Sequence, residues 1–154
     1  MLTTTTENLK EIYKEDFLLW IEKTIKLLSD RQLEDLDYDN LIEELETLGR
    51  SEKRTVESLI KQILIHLLLY QYWTAEHDRN ANHWKAEIFN FRDQLKRELT
   101  SRTLYNYAIS QVDSLYNAAR GFAKNKTALN IFPSQCPYTF AQILDENWLP
   151  FISE

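Results

Sequence analysis

The sequence predicts an all-α fold: an antiparallel bundle of about four or five helices, closed by a C-terminal strap that carries a short helix. Three observations carry this expectation. All three prolines, Pro133, Pro137 and Pro150, lie at or beyond position 133, so the chain before them is free of the residue that most strongly breaks helices. Apolar residues recur at spacings of three and four in one segment after another, and no stretch alternates as a half-buried strand would. A chain of 154 residues, 44% hydrophobic and 12% aromatic, has enough apolar material for one ordinary domain with its own core.

The elements follow in order. Residues 1–8, with threonine at positions 3–6, read as a flexible tail, and a single domain is expected over 9–154. From 8 to 29, Ile12, Phe17, Leu18, Trp20, Ile21, Ile25 and Leu28 mark one face of a first helix. Turn chemistry follows at Ser29-Asp30 and over 35–37. Asp37 suits the N-cap of a second helix, its carboxylate placed to accept from the free N–H groups of residues 39 and 40. Leu41, Leu45 and Leu48 line one side of that helix. Gly49 is either its stop or a kink in a longer rod, with Ser51 able to cap a restart.

A third helix is expected over 52–73. Its first half is amphipathic through Val56, Leu59, Ile60, Ile63 and Leu64. Residues 63–70 are apolar on every side apart from His66, which places this part at the centre of a bundle or under another subunit. Residues 74–82 are polar and read as a loop, with Asn82 capping a fourth helix that carries Trp84, Ile88, Phe91, Leu95 and Leu99. Ser101 opens a fifth helix with Leu104, Ala108, Leu115, Ala119 and Phe122, ending near Gly121. Residues 124–137 read as irregular. Thr139 caps a short helix to Leu144 or Asp145, and the apolar run Asn147-Trp148-Leu149-Pro150-Phe151 is expected to fold back on the bundle.

Composition narrows the function classes. A net charge of −6 argues against nucleic-acid binding, which draws its affinity from clustered Lys and Arg. Cys136 is the only cysteine, so neither an intrachain disulfide nor a cysteine-based zinc site is available. The first residues lack a basic segment followed by an apolar one, so no signal peptide is read. The longest apolar run falls far short of the ~20 residues of a membrane span. No membrane association and a cytoplasmic location are therefore expected, and no cofactor motif is found.

Ordered landmarks run along nearly the whole chain: Tyr13 with Asp16-Phe17 and Trp20; Leu36-Asp37; Asn40-Leu41-Ile42-Glu43-Glu44-Leu45; Leu48-Gly49-Arg50-Ser51-Glu52; His66-Leu67-Leu68; Trp84; Arg92; Tyr116 with Ala119-Arg120; Phe132-Pro133; and Cys136-Pro137-Tyr138. In these the chain resembles a bacterial family, abundant in cyanobacteria, catalogued as "domain of unknown function 29". Leu69 departs from the family pattern, which often has Lys there. The resemblance implies a helical fold and brings no activity, cofactor or catalytic residue.

Two readings of function follow from the residues. Glu44 lies about 60° from the Leu41 and Leu48 stripe on a helical wheel, and His66 sits in the most apolar segment of the chain. Together they suggest an acid–base pair or a metal site, with Glu46 or Glu87 as a further ligand, in a small metal-assisted hydrolase. Against this, a flanking Glu usually meets an arginine such as Arg50, Arg54 or Arg92, and a lone buried His is usually a core residue. The Glu-x-x-His pairs of bundle metal sites are absent, as is any nucleophile motif. His77 and His83, near Glu76 and Asp78, would meet only if their loop doubled back. Cys136 has no histidine near it in sequence and reads as structural. Arg92, Lys96, Arg97 and Arg102 alternate with Asp93 and Glu98 and read as a solvated face. The favoured reading is a non-enzymatic protein-interaction or self-associating module, with Tyr70, Tyr72, Trp73 and Trp84 as interface anchors.

Overall fold

A computed structural model describes the backbone of residues 2–154 and the side chains of residues 7–154. Among the described residues there are six α-helices, one 3-10 turn and no strand. The helices are α1 (Leu2–Glu15), α2 (Phe17–Ser29), α3 (Tyr38–Tyr72), α4 (Thr74–Glu98), α5 (Arg102–Thr127) and α6 (Phe140–Leu144), with the 3-10 turn Leu33–Asp35 between α2 and α3. The fold is all-α, as the sequence predicts. Its contacts divide between Arg50 and Ser51 into two compact units.

Helix α3 is one continuous helix, so Gly49 neither stops nor restarts it. Arg50 spans the turns on the N-terminal side of the glycine through ion pairs to Glu43 and Glu46. The cost of one glycine in a helix interior, about 1 kcal/mol, is small beside what a long helix gains by packing. Ser51 serves as an ordinary helical residue whose carbonyl accepts from the Thr55 hydroxyl.

In the first unit, the single helix expected over 8–29 is two helices. Asp16 separates them because its carboxylate accepts from Leu19 N at 3.1 Å, capping α2 instead of continuing α1. Of the expected tail 1–8, Met1 lies outside the described residues, and the backbone from Leu2 onward is already helical. Among the described residues of this unit, the buried side chains are Leu9, Trp20, Thr24, Leu36 and Asp37. Asp37 stands at the start of α3 as expected, and its carbonyl accepts from Leu41 N. Its carboxylate, however, is bonded by side chains: Trp20 Nε1 donates to Oδ2 at 3.3 Å and Asn40 Nδ2 donates to the same oxygen at 2.6 Å.

In the second unit, residues 51–72 of α3 pack against α4 and α5. Ile60, Ile63, Leu64, Leu67 and Leu68 are fully enclosed, which explains why this stretch is apolar all round. The expected loop 74–82 is helical. Helix α4 begins at Thr74, with only Trp73 between it and the end of α3, because 74–82 contains neither Gly nor Pro and its polar side chains suit an exposed helix surface. Asn80 donates back to the Glu76 carbonyl and carboxylate, one turn earlier. Asn82 is therefore an interior position of α4 and caps nothing.

Ser101 caps α5 by accepting from Leu104 N at 3.1 Å, as expected. The helix runs past Gly121 to Thr127, and Ala128 ends it in the left-handed conformation, φ 59°. Irregular chain thus starts at Ala128 instead of Lys124. Tyr116 Oη donates to Pro133 O at 2.5 Å, and Arg120 Nε donates to Phe132 O at 3.2 Å, which fastens this segment to α5. Thr139 and Gln142 form a capping box at the start of α6.

Arg92 corrects the expectation of a solvated basic face. It is 1% exposed. Its guanidinium donates to three strap carbonyls: Nε to Ile143 O at 2.9 Å, Nη1 to Trp148 O at 2.8 Å and Nη2 to Gln142 O at 2.9 Å. Loss of hydration lowers its pKa to about 10, with Asp145 and Glu146 opposing the shift. The strap packs back through half-buried Trp148 and buried Pro150, and Ser153 N donates to Gln71 O. Phe151 is the exception, at 95% exposed.

Candidate protein-docking surface

An open apolar groove lies in the first unit. Helix α2 supplies Phe17, Trp20, Ile21, Thr24, Ile25 and Leu28, and the start of α3 supplies Leu41, Glu44, Leu45 and Leu48. Between them is a groove of about 460 Å³. The spacing puts each set on one helical face, and Leu18, Tyr38 and Ile42 extend the same faces outward. Trp20 is buried and Ile21 and Leu41 are half-buried, while the other large side chains run from 37% exposed at Leu28 to 65% at Leu18 and Leu48.

Polar contacts hold the groove's shape from its closed side. Tyr13 Oη donates to Glu44 Oε1 at 2.5 Å, and this bond holds the phenol's pKa above its ordinary value. The Tyr13 ring meets Phe17 and Trp20 edge-on at 5.7 and 5.0 Å. Trp20 then reaches Asp37, as above. Glu44, the sole ionisable residue on the groove wall, is thus already engaged. The Thr24 hydroxyl on the α2 wall is buried without a partner, as is Asp37 Oδ1.

Glu44 belongs to the first unit and His66 to the second, twenty-two positions further along α3. His66 Nδ1 meets the Gln62 carbonyl at 2.7 Å, and its ring tilts against Phe91 at 5.5 Å. Burial holds its pKa below the ordinary 6.5; the Gln62 carbonyl opposes that shift, and Glu87 and His83 act on it in opposite directions. Glu46 is paired with Arg50 at 3.8 Å. Among the described residues, no group of three or more His, Cys, Asp or Glu is arranged to hold a metal ion. His77 is half-buried, its ring against Tyr70 and Trp84, while His83 is exposed. Cys136 Sγ donates to Tyr138 O at 3.4 Å, and burial pushes the thiol's pKa up, which disfavours the reactive thiolate.

The four aromatic anchor candidates are used inside the second unit. Trp84 is buried and stacks on Trp73 at 5.9 Å. Tyr72 meets Phe132 edge-on at 5.7 Å, and Tyr70 meets His77 at 4.8 Å. The exposed groove residues were visible in the sequence as stripes, but a stripe shows which face is apolar and not whether the chain itself covers it. The all-round apolarity of residues 63–70 marks that stretch as enclosed, whereas the one-sided Leu41–Leu45–Leu48 stripe leaves its cover open.

The landmark residues have legible structural work. Tyr13, Trp20, Asp37, Asn40 and Glu44 form the hydrogen-bonded back of the groove. Arg92, Tyr116 and Arg120 hold the strap and the segment before it. Among the described residues, no helix is long and apolar enough to cross a membrane. No curated protein and no solved structure matches the chain. A family model described as "Domain of unknown function DUF29" matches residues 12–149, and the chain belongs to that family.

Proposed function

We propose that this protein is a non-enzymatic helical interaction module whose docking surface is the groove between α2 and the start of α3. The observation that carries the reading is the exposure of regular apolar stripes on both walls at once. Contiguous apolar patches of this kind are uncommon on a surface that stays in water. The single ionisable side chain on the wall is bound to Tyr13, so the groove favours apolar contact over acid–base chemistry. The second unit supplies a closed core that does not depend on the groove. A cytoplasmic setting fits this reading, because a chain with a single cysteine forms no intrachain disulfide and needs no oxidising compartment.

The test is site-specific photocrosslinking in the cells that express the protein. A photoreactive residue at Leu48 is expected to give a discrete protein adduct. The same residue at exposed Lys85 on α4 serves as control and is expected to give none. Absence of any protein adduct from Leu48, and from Leu45 in a repeat, would sink the docking reading.

A further inference from the structure

We infer that the occupant of the α2/α3 groove is a second copy of this chain, which pairs groove to groove; the inference rests on the docking reading above. The first argument is area. Phe17, Leu18, Ile25, Leu28, Tyr38, Ile42, Leu45 and Leu48 each remain between about a third and two-thirds exposed. If a large side chain offers on the order of 200 Å² when open, they leave about 800 Å² of apolar surface, close to what each partner contributes to a stable protein–protein interface.

The second argument is charge. In a two-fold contact the same patch serves both partners, so charged groups near the axis meet their own kind. This groove avoids that conflict, because Glu44 is its one ionisable wall residue and is already held by Tyr13. A groove built for a charged helix would present free charges of the opposite sign on its walls. Here the walls match an equally apolar face, and the chain carries one of the right size.

The third argument is the thin core of the first unit. Among its described residues, few side chains are buried: Leu9, Trp20, Thr24, Leu36 and Asp37, two of them polar. A unit this small usually needs a second source of burial, and oligomerisation is the common one. Two such helix pairs laid face to face make four helices around an apolar centre, which is the arrangement of a bundle.

Sedimentation equilibrium on the purified full chain, from about 1 to 100 µM, tests the inference directly. The expected mass is twice the 18.4 kDa of one chain. Leu45→Glu with Leu48→Glu on the α3 wall, and separately Ile25→Glu on the α2 wall, should each return the mass to one chain. Because these positions are exposed, the helical circular dichroism should be unchanged. A wild-type monomer throughout the range overturns the inference, and so does a dimer that neither variant dissociates. A wild-type monomer together with a Leu48 adduct to a different protein removes the second copy while leaving the docking reading in place. No self-association and no adduct would remove both.

Discussion

The two units are written in the same helical code and finish differently. In the second, the stripes of α3, α4 and α5 cover one another, and Val56, Ile60, Ile63, Leu64, Leu68, Ile88 and Leu95 are shut away from water. In the first, the stripes on α2 and the start of α3 are just as regular, yet Ile25, Leu45 and Leu48 stay more than half exposed. What fixes the first unit is mostly polar and aromatic: the Tyr13–Glu44 bond, the Trp20–Asp37–Asn40 cluster, and an ion pair between Lys10 and Asp39. The difference separates two uses of an apolar face. One folds the chain, and the other is held open by contacts on its far side.

The largest expected effect lies in the closed unit. Arg92→Leu keeps bulk in the core but removes the donors of three strap carbonyls at once. Hydrogen bonds to a charged donor contribute about 1.5–3 kcal/mol each, and unpaired buried carbonyls add a penalty, so a loss of about 3 kcal/mol or more is expected. Urea denaturation should show a lower midpoint, and limited proteolysis should cut between residues 140 and 154. Arg92→Lys supplies a charge without the planar fork and should recover part of the loss. If Arg92→Leu unfolds at the wild-type midpoint, the strap is held by Trp148 and Pro150 packing, and the guanidinium adds little.

This arginine also marks where the sequence stopped being readable. The α-helical class, the Ser101 and Thr139 caps and the central place of residues 63–70 were all legible, because each depends on local spacing or on a side chain reaching its own backbone. Arg92 was not. Its neighbours Lys96, Arg97 and Glu98 are exposed, and only the return of the strap from some fifty residues later encloses it. The expected loop at 74–82 failed for a related reason: polarity signals exposure, and an exposed helix turn is as polar as a loop. Asp16 failed in the other direction, since a short polar residue between two apolar stripes is a cap only when its backbone leaves the helix. For the candidate site, the sequence supplied both apolar stripes and Glu44 but not the residue that bonds Glu44. Tyr13, its actual partner, is thirty-one positions away, and no periodicity connects them.

A smaller effect is expected at the back of the groove. Asp37→Ala removes the acceptor of Trp20 Nε1 and of the Asn40 amide, in a place that is 1% exposed. Leaving those donors unpaired should cost about 2 kcal/mol. Hydrogen exchange shows where that cost falls. Amides of α2 and of residues 41–48 should exchange faster, while those of Leu64 and Leu68 keep their protection. Asp37→Asn retains a carbonyl oxygen and should be milder. Equal loss of protection in both units would mean that the boundary at Arg50 and Ser51 does not separate their stabilities.

The smallest expected effect concerns His66 and has a definite sign. Burial holds the folded imidazole's pKa below the 6.5 of an ordinary one. Between the two values the unfolded chain binds more protons than the folded chain. Stability therefore falls as pH drops through that window, and above it this residue contributes no slope. His66→Gln keeps a donor for the Gln62 carbonyl but cannot titrate. Comparing Tm at pH 7.5 and pH 5.5 by calorimetry, wild type should lose about a degree or two more than the variant. His77 and His83 are present in both proteins and cancel in the comparison. Equal losses would mean that His66 is as free to take a proton in the folded chain as in the unfolded one, and that α4, with Phe91, does not keep water from its ring. A greater loss in the variant would reverse the sign and place a carboxylate, with Glu87 the nearest candidate, in command of the imidazole.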